Sequence, residues 1–394
     1  MKSLVRKILS QKVVNNFYHL PLAILANFTY GFPSRKLKVI GVTGTDGKTT
    51  TTNMIYQILK SAGKKVSMVS TINAVIGGKS YDTGFHVTSP DPFMIQKFAK
   101  QSVDSGDEYM ILEVTSHALD QYRFWGIKFE IGVITNITHE HLDYHKNFDN
   151  YKNIKLKLLK NVRKAVVNEN LNIKRGNILT FGLNNGDLNQ KDAKLKLEIP
   201  GDYNIENALA ALAVAFDLGI NKDIARKTVE DFQNLNGRME DIENNKGIKI
   251  IIDFAHTPNG LEQVLRTLKS QIKGRLIVLI GCEGFRDEQK REMMGEIAQR
   301  LSNIVVVTAV DPRGQWKIIK QQITKGAMKA GAKEGINFFV EEDREKAINL
   351  AINQLARKGD VVGIFGKGHE KSMNLDGKKE ILWSDIEAVK KTLE

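Results

Sequence analysis

The sequence predicts an α/β protein built from two parallel sheets with helices packed against them. From Leu37 onward, apolar runs of strand length alternate with amphipathic segments of helical period, which is the pattern of parallel α/β sheets. These runs outnumber the strands of an ordinary single sheet, so two sheets are expected. The candidate strands are residues 38–42, 66–70, 110–114, 131–136, 165–168, 249–253, 276–281, 304–308 and 361–365.

The candidate helices lie between these strands, and one polar stretch divides the series. The helical patterns cover residues 50–61, 93–101, 206–218, 261–268 and 342–355. The polar stretch Glu243–Gly247 is the best candidate for a domain boundary. We therefore expect a short helical segment over residues 1–36, a central domain over 37–243 and a C-terminal domain over 244–394.

The composition is that of a globular protein with an excess of basic residues. Hydrophobic residues make up 42% of the 394 positions and charged residues 26%, which excludes a wholly disordered chain. Lysine and arginine number 58 and aspartate and glutamate 45, so the net charge is +13. This excess favours anionic partners, such as nucleotide phosphates, acidic substrates, nucleic acid or an anionic membrane. The single cysteine, Cys282, excludes a disulfide framework and indicates a reducing, cytoplasmic compartment.

The most apolar stretch of the chain is Val13–Phe32, close to the N-terminus. It contains three asparagines and a histidine, and Pro21 interrupts it, so it does not predict a transmembrane helix. No small-residue cleavage site of a signal peptide follows it. We predict a pair of docking helices, with a membrane-surface anchor as the alternative.

A glycine-rich loop between a strand and a helix predicts a phosphate site. The strand Leu37–Ile40 runs into the segment GVTGTDGKTT of residues 41–50. Backbone N–H groups of such a loop, together with the N-terminus of the helix, form an anion cradle. Lys48 would reach the terminal phosphates and the Thr49 hydroxyl would hold Mg²⁺. Val42 breaks the strict phosphate-loop spacing, and the alternative is an ordinary turn capped by Thr49.

This loop is the first of a series of motifs that resemble those of the Mur ligases, and most of all their UDP-N-acetylmuramoyl-tripeptide synthetases. Each motif alone is weak, but their shared order over most of the chain is specific. Asp46, Thr115 and Glu140 stand where the family usually has Asn, Ser and Asp. The matching segments are residues 43–51 (TGTDGKTTT), 113–119 (EVTSHAL), 135–145 (TNITHEHLDYH), 151–155 (YKNIK), 203–207 (YNIEN), 237–240 (GRME), 253–258 (DFAHTP) and 366–370 (GKGHE).

The resemblance implies an ATP-dependent amide ligase of peptidoglycan precursor synthesis. In that reaction, the carboxylate of a UDP-N-acetylmuramoyl-dipeptide-type acceptor attacks the γ-phosphate of ATP, and an amino acid's amine then displaces phosphate from the acyl phosphate. The implied central domain binds ATP and the C-terminal domain binds the amino acid, so domain closure would complete the site. The implied cofactors are ATP, Mg²⁺ and a CO₂-derived carbamate on Lys155. We expect these small molecules to be the partners, and we expect a monomer that binds no nucleic acid.

The catalytic and metal-binding residues follow from the same resemblance. The implied catalytic residues are Lys48, Glu113, His141 and Lys155. Thr49, Glu113, His141 and the carbamate of Lys155 would hold the metal. Other interpretations are a solvent-exposed Glu113 at a strand end, a solvated basic face around Lys155, and a zinc site formed by His139, His141 and His145. Phosphate chemistry favours Mg²⁺ and oxygen ligands over zinc.

The resemblance also assigns three sets of binding residues. The ATP set is Gly44, Thr45, Asp46, Gly47, Lys48, Thr49, Thr50, Asn207, Arg238, Asp253 and His256. The acceptor set is Thr88, Ser89, Thr115, Gln121 and Arg123. The amino-acid set is Arg291, Asp311, Pro312, Arg313, Gly366 and Glu370. Because a guanidinium can grip a carboxylate with two hydrogen bonds, Arg313 favours meso-diaminopimelate over lysine, and the alternative is a loop arginine paired with Asp311.

Three further expectations concern the acceptor and the competing functions. Family members carry a uridine-nucleotide-binding domain before the ATP loop, and residues 1–36 are too few for one, so we expect weak or differently built uridine recognition. A ligase of the same fold could instead use another acidic acceptor, as folate or amino-acid-polymer ligases do. The remaining alternatives are a non-enzymatic protein that binds nucleic acid and a membrane-peripheral scaffold.

Overall fold

The computed structural model of the protein describes residues 10–81 and 89–394. It contains two compact units, each with its own sheet. The first comprises residues up to 137 together with 147–199 and 203–232, and the second comprises residues 138–146, 200–202 and 233–394. The sequence-based boundary between residues 243 and 244 stays a prediction, since the described sheet of the second unit begins earlier, at Glu240.

The N-terminal segment is helical, as predicted, but its parts run on as one helix. Helix α1 (Gln11–Val14) continues through a wider π turn (Asn15–His19) into α2 (Leu20–Tyr30), with every junction residue in the right-handed helical region. Pro21 lies in the first turn of α2. Proline lacks an N–H donor and crowds the preceding turn, and the π turn just before it gives the helix room to continue. The helix ends at Gly31, which has a φ of 68°.

The sheet of the first unit has nine strands in the order β4-β3-β2-β5-β1-β6-β7-β8-β9. All pairs are parallel except β2–β3 and β3–β4. Strand β1 lies between β5 and β6, where Lys38 pairs with Tyr109 and Val39 with Phe129. The strands are β1 (Lys38–Thr43), β2 (Val66–Val69), β3 (Ala74–Ile76), β4 (Lys79–Tyr81), β5 (Tyr109–Glu113), β6 (Phe129–Ile134), β7 (Lys164–Asn168), β8 (Ile178–Gly182) and β9 (Leu188–Asn189).

Helices of the first unit cover this sheet, and local sequence fixes where they start. Asp91 caps the helix over residues 92–104 by accepting hydrogen bonds from the backbone of Phe93 and Met94. Its apolar face packs Ile95 and Phe98 into the cluster formed by β1 and β5. The helices are α3 (Lys48–Ser61), α4 (Pro92–Asp104), α5 (Ser116–Asp120), α6 (Phe148–Leu156), α7 (Gln190–Ala193), α8 (Asp202–Asp217) and α9 (Lys222–Glu230). Short 3₁₀ turns cover Pro33–Lys36, Lys157–Leu159 and Glu169–Leu171.

The second unit holds a six-stranded sheet in the order β10-β11-β15-β12-β13-β14 and a separate hairpin. The sheet is parallel except for the edge pair β10–β11. Its strands are β10 (Glu240–Ile242), β11 (Lys249–Asp253), β12 (Leu276–Ile280), β13 (Ile304–Val307), β14 (Phe338–Val340) and β15 (Val361–Phe365), and the hairpin is β16 (Ser372–Asn374) with β17 (Glu380–Leu382). The helices are α10 (Pro258–Gln271), α11 (Gln289–Leu301), α12 (Trp316–Lys329), α13 (Arg344–Asn349) and α14 (Asp385–Leu393), with a π turn over Leu350–Leu355 and one unlabelled helical turn over Leu142–His145.

A buried ion pair joins α13 to α14 in the core of the second unit. The Arg344 guanidinium donates to both carboxylate oxygens of Asp385 at 2.7 Å, and neither side chain is exposed. Arg344 also donates to the carbonyl of Phe365 at 3.0 Å, and the Trp383 indole donates to Asp385 at 2.8 Å. The pair therefore fixes the carboxyl end of β15, where the segment 366–370 begins.

Candidate functional site

The carboxyl ends of β1, β5 and β6 lie side by side and carry the predicted phosphate loop. The backbone N–H of Thr45 donates to the carbonyl of Asn136 at 3.0 Å, and that of Asp46 donates to the Asn136 side chain at 2.9 Å. The Thr135 hydroxyl donates to the Asp46 carbonyl at 2.6 Å. The end of β6 therefore holds the loop in place, at the edge of the sheet where α/β proteins bind ligands.

Two glycines of this loop leave no room for a side chain. A Cβ at Gly44 would lie 1.8 Å from the Thr135 hydroxyl oxygen, and one at Gly47 would lie 2.2 Å from the Asn207 amide oxygen. Gly47 also has a φ of 78°, which L-residues rarely adopt. Asn207 is buried on α8 and accepts from the Thr51 hydroxyl at 3.3 Å. The close approach of backbone and side chains here suits a cradle for an anion.

The variant Gly44→Ala should lose about 100-fold in kcat/KM for the ATP-dependent reaction that the motifs imply, because displacing a phosphate loop by about 1 Å misaligns the reacting groups. The measurement is ADP release. Gly176→Ala is the matched control, since nothing lies within 4 Å of a Cβ there. The variant Thr135→Ala lacks the hydroxyl that the new Cβ would meet. In that background, adding Gly44→Ala should lower kcat/KM by less than it does in the wild type. Unchanged kcat/KM in Gly44→Ala would contradict the tight-loop geometry.

Glu113 is buried at the end of β5, which rules out the solvent-exposed interpretation. Its carboxylate accepts hydrogen bonds from the Thr49 hydroxyl at 3.0 Å, the Thr71 hydroxyl at 2.8 Å and the Thr71 backbone N–H at 2.8 Å. Sequence reasoning missed Thr71, although it follows the predicted strand 66–70 directly. A carboxylate and a threonine hydroxyl are ligands that Mg²⁺ accepts, so Thr49 and Glu113 fit that ion.

Two lysines approach the loop backbone from different elements. Lys48 opens α3 and donates to the Thr45 carbonyl at 2.8 Å. Lys155, on α6, is buried and donates to the Gly44 carbonyl at 2.6 Å, with its ammonium 4.6 Å from the Tyr151 ring. The Tyr151 hydroxyl lies 3.0 Å from that of Thr45. The interpretation of Lys155 as part of a solvated basic face is therefore wrong, because this lysine is buried and contacts the phosphate loop.

The predicted acceptor residues that the structure describes form one hydrogen-bonded group. The Ser89 hydroxyl donates to the Glu113 carbonyl at 3.1 Å and accepts from the backbone N–H of Thr115 at 3.1 Å. The Arg123 guanidinium donates to the Ser89 carbonyl at 2.5 Å and to the Gln121 side chain at 2.8 Å. The group therefore adjoins Glu113 through Ser89, while the predicted residue Thr88 lies outside the described residues.

The three histidines of the third motif belong to the second unit, and they do not form a metal cluster. His139 lies 3.2 Å from the Asp287 carboxylate, and His141, with a φ of 58°, lies 3.8 Å from Glu140. Glu140 is itself paired with the buried Lys290 at 2.9 Å. Among residues 10–81 and 89–394, no three His, Cys, Asp or Glu side chains lie together in a way that could hold a metal ion. The zinc interpretation therefore has no structural support.

The predicted ATP residues of the second unit gather around the end of β11. The Asp253 carboxylate accepts from the backbone N–H of Met239 at 2.8 Å and of Ala255 at 2.7 Å. The Arg238 guanidinium lies over the Phe254 ring at 4.5 Å, and the His256 ring centroid is 4.4 Å from that of Phe254. Asp253 thus binds the backbone of the residue that follows Arg238 and of the residue that precedes His256. The remaining predicted ATP residue, Thr50, is buried on α3 in the first unit.

Asp311 and Gly366 follow β13 and β15, the two strands that flank β12 in the second sheet. Asp311 is fully buried with both carboxylate oxygens 3.2 Å from the Lys367 ammonium, which also lies 2.6 Å from Glu370. The backbone N–H of Asn374 donates to Asp311 at 2.8 Å, and that of Gly366 donates to the Asp253 carbonyl at 3.1 Å. Asp311 therefore organises the loops of this set.

Arg313 follows Pro312 and is partly exposed. Its guanidinium donates to the Gly284 carbonyl at 3.1 Å and lies 3.7 Å from Glu283 and 4.0 Å from Asp311. Burial alone would raise the pKa of Glu283, but the cations Arg286, Lys290 and Arg313 lower it to about 2. Sequence reasoning missed Glu283, which stands just beyond β12.

Arg291 and Cys282 are both buried in this unit. Arg291 is fully buried on α11, where its guanidinium donates to the Gln322 side chain at 2.8 Å and to the Glu283 carbonyl at 3.1 Å. Burial raises the pKa of the Cys282 thiol to about 11, so the thiol stays protonated at neutral pH. Arg291 joins α11, α12 and the loop after β12, and its contact with the amino acid stays a prediction.

Two family models match the chain. The Mur ligase middle domain matches residues 42–215, and the Mur ligase, glutamate ligase domain matches residues 237–368. The helices of the described residues are all too short or too polar to cross a bilayer.

Two of the curated relatives that the chain resembles carry the same name. UDP-N-acetylmuramoyl-L-alanyl-D-glutamate--2,6-diaminopimelate ligase of Clostridium botulinum is 38% identical over 379 residues, which is 89% of this chain and 76% of that protein. The protein of the same name from Aquifex aeolicus is 36% identical over 393 residues, covering 92% and 79% of the two chains.

Solved structures agree with these relatives. A structure of a protein with that same name superposes with a TM-score of 0.55 at 28% identity, over 91% of this chain and 78% of the other. The MurF ligase from Thermotoga maritima in complex with ADP gives a TM-score of 0.67 at 19% identity, over 95% and 83% of the two chains, and shows the shared fold. With its two matching domains and relatives of this similarity over most of its length, the chain belongs to the Mur ligase family.

Proposed function

We propose that the protein is an ATP-dependent ligase that adds meso-diaminopimelate to a UDP-N-acetylmuramoyl-dipeptide-type acceptor in peptidoglycan precursor synthesis. The observation that carries the proposal is the buried Glu113 carboxylate, held by Thr49 and Thr71 beside a glycine loop. The acceptor carboxylate attacks the γ-phosphorus, ADP leaves, and an acyl phosphate forms. The amine of the amino acid then attacks the acyl carbon, phosphate leaves, and the amine loses a proton.

The loop and its neighbours would position the phosphates. Backbone N–H groups between Gly44 and Thr50 and the Lys48 ammonium would bind the phosphate oxygens, since developing charge is best stabilised by donors already in place. Thr49, Glu113 and His141 would hold Mg²⁺, which neutralises phosphate charge when bound. The remaining ATP contacts would come from Thr45, Asp46, Gly47, Asn207, Arg238, Asp253 and His256.

Lys155 is proposed to carry a carbamate. A neutral amine adds CO₂ and releases one proton, which turns a cationic donor into an anionic acceptor. Burial favours the neutral amine, and Lys155 is only 2% exposed. As a carbamate it would join the metal ligands; as an ammonium it would hold the Gly44 carbonyl.

The acceptor would bind at the group formed by Ser89, Thr115, Gln121 and Arg123, together with Thr88. The Arg123 guanidinium donates to Ser89, which in turn donates to the Glu113 carbonyl. The cation therefore stands close to Glu113 and is suited to an acidic acceptor. The amino acid would bind at the set formed by Arg291, Asp311, Pro312, Arg313, Gly366 and Glu370. We also propose that the enzyme is a cytoplasmic monomer, with a membrane contact through its N-terminal helix.

The test is acceptor-dependent ADP release across a small panel. UDP-linked muramyl dipeptide, its UDP-free form and a folyl glutamate are each offered with ATP, Mg²⁺ and meso-diaminopimelate. Release that requires a muramyl dipeptide supports the proposal. Release with the folyl glutamate alone would assign the protein to a different acceptor class.

The variant Arg313→Ala should raise the KM for meso-diaminopimelate about 10- to 100-fold while changing kcat little, because one charge-assisted contact to the distal carboxylate is lost. Wild-type turnover should be slower with lysine, whose side chain ends in an ammonium that Arg313 would repel. Arg266→Ala is the matched control, since Arg266 is an exposed arginine paired with Glu262 on α10. Faster turnover with lysine, or an unchanged KM in Arg313→Ala, would refute this amino-acid assignment.

A further inference from the structure

The N-terminal helix exposes its largest apolar side chains and buries its smallest. Phe17 is 81% exposed, Leu25 55% and Phe28 66%, whereas Ala23 and Ala26 are fully buried against the first unit. A helix that covers a water-soluble core normally shows the reverse order. The exposed face therefore needs a partner that the described residues do not supply.

These exposed residues form one stripe along the helix. Phe17, Pro21, Leu25 and Phe28 are exposed and follow one another at intervals of four, four and three residues, which places them on one helical face. Tyr18, 55% exposed, flanks the stripe. We call Phe17, Tyr18, Pro21, Leu25 and Phe28 the apolar stripe. A continuous face of this kind on a helix is a docking surface.

The N-terminal part of the sequence, which includes the apolar stripe, carries charged residues of one sign only. The first 45 residues contain no aspartate or glutamate, and the first acidic residue is Asp46. Arg35 lies over the Phe32 ring at 4.1 Å, and Phe32 in turn contacts Phe28 at 5.2 Å between ring centroids, so basic and aromatic groups share one surface. Seven basic residues occupy the same part of the sequence: Lys2, Arg6, Lys7, Lys12, Arg35, Lys36 and Lys38.

We propose that the apolar stripe binds an anionic lipid surface, with the helix lying in the plane of the interface. Apolar and aromatic side chains enter the boundary between headgroups and acyl chains, while lysine and arginine bind anionic headgroups. A second copy of this chain would bring the same excess of positive charge to the contact, which disfavours self-association. The aromatic residues Phe17, Tyr18 and Phe28 suit the interface, where such rings concentrate.

The test is sedimentation of the full chain with vesicles of phosphatidylcholine containing about one-third phosphatidylglycerol, a composition that presents the anionic charge. We expect the wild type to pellet with these vesicles, to pellet at least tenfold less with phosphatidylcholine alone, and to be released by 0.5 M salt, because screening weakens the attraction. The variant Phe17→Gln/Phe28→Gln should lower the partition coefficient at least tenfold. Ile336→Gln is the matched control, since Ile336 is 70% exposed on a loop of the second unit.

Two readouts separate this proposal from its competitors. Acceptor-dependent ADP release without vesicles should be equal in wild type and Phe17→Gln/Phe28→Gln, which shows that the variant is folded. Sedimentation velocity should show the same monomer for both. The proposal would be overturned if the wild type did not pellet with anionic vesicles, or if the double variant pelleted equally well. It would also be overturned if the wild type were a dimer and the double variant a monomer.

Discussion

The variant Lys155→Ala should lower ligase kcat/KM about 1,000-fold while leaving the fold intact. Lys155 holds the Gly44 carbonyl at 2.6 Å and packs on the Tyr151 ring, so its removal frees the loop and also deletes the proposed carbamate. The measurement is ADP release with saturating acceptor and amino acid. Thermal unfolding monitored in parallel separates lost catalysis from lost structure.

A matched control and a spectroscopic readout sharpen this experiment. Lys152 lies three residues earlier on α6 and is partly exposed, so Lys152→Ala should keep activity within about twofold of the wild type, as surface substitutions do. With ¹³C-labelled bicarbonate, the wild type should show a carbamate carbonyl resonance that Lys155→Ala lacks. Near-normal turnover of Lys155→Ala without added bicarbonate would refute the role of this lysine.

The variant Asp385→Ala should lower the free energy of unfolding of the second unit by about 3–5 kcal/mol, because it leaves the buried Arg344 guanidinium without its carboxylate. Trp383 donates to Asp385, so its fluorescence reports on this region. The measurement is urea unfolding followed by tryptophan emission. An apolar double variant, Arg344→Met/Asp385→Leu, should be far less destabilised, because no unpaired charge remains in the core.

The control for this prediction lies on the same helix. Lys390 and Glu387 form an exposed pair at 3.2 Å on α14, and Lys390→Ala should cost less than about 0.5 kcal/mol. An Asp385→Ala protein that unfolds at the same urea concentration as Lys390→Ala would show that the buried pair contributes no net stability.

The strands that could be predicted are the buried ones. All nine candidate runs lie in the two sheets, because a strand covered on both faces is continuously apolar. The strands β3, β4, β9, β10, β14, β16 and β17 were missed since they are only two or three residues long and stand at sheet edges or in hairpins. Strand β8 has five residues and was missed since its first three are only partly buried. Helices α11 and α12 were missed because charged residues interrupt their apolar pattern.

The candidate site divides in a similar way. Glu113, Thr49 and Lys155 could be predicted because each stands in a motif with a fixed position along the chain. Thr71 could not be predicted, because its contact with Glu113 depends on the pairing of β2 with β5. The sequences of the strands do not show which strands are neighbours in a sheet. Packing also decides which of the two lysines on α6, Lys152 and Lys155, is buried.

The place of β1 in its sheet sets the order in which the first unit can fold. The strand is complete at Thr43, but its partners β5 and β6 begin at Tyr109 and Phe129. During synthesis the apolar strand β1 therefore stays unpaired until more than half of the first unit has been synthesised. Contacts so distant along the chain slow folding and leave strand edges open to other chains. We expect the nascent first unit to depend on chaperones until residue 134 has emerged. In the second unit, β11 can pair at once with β10 and waits only for its other partner, β15.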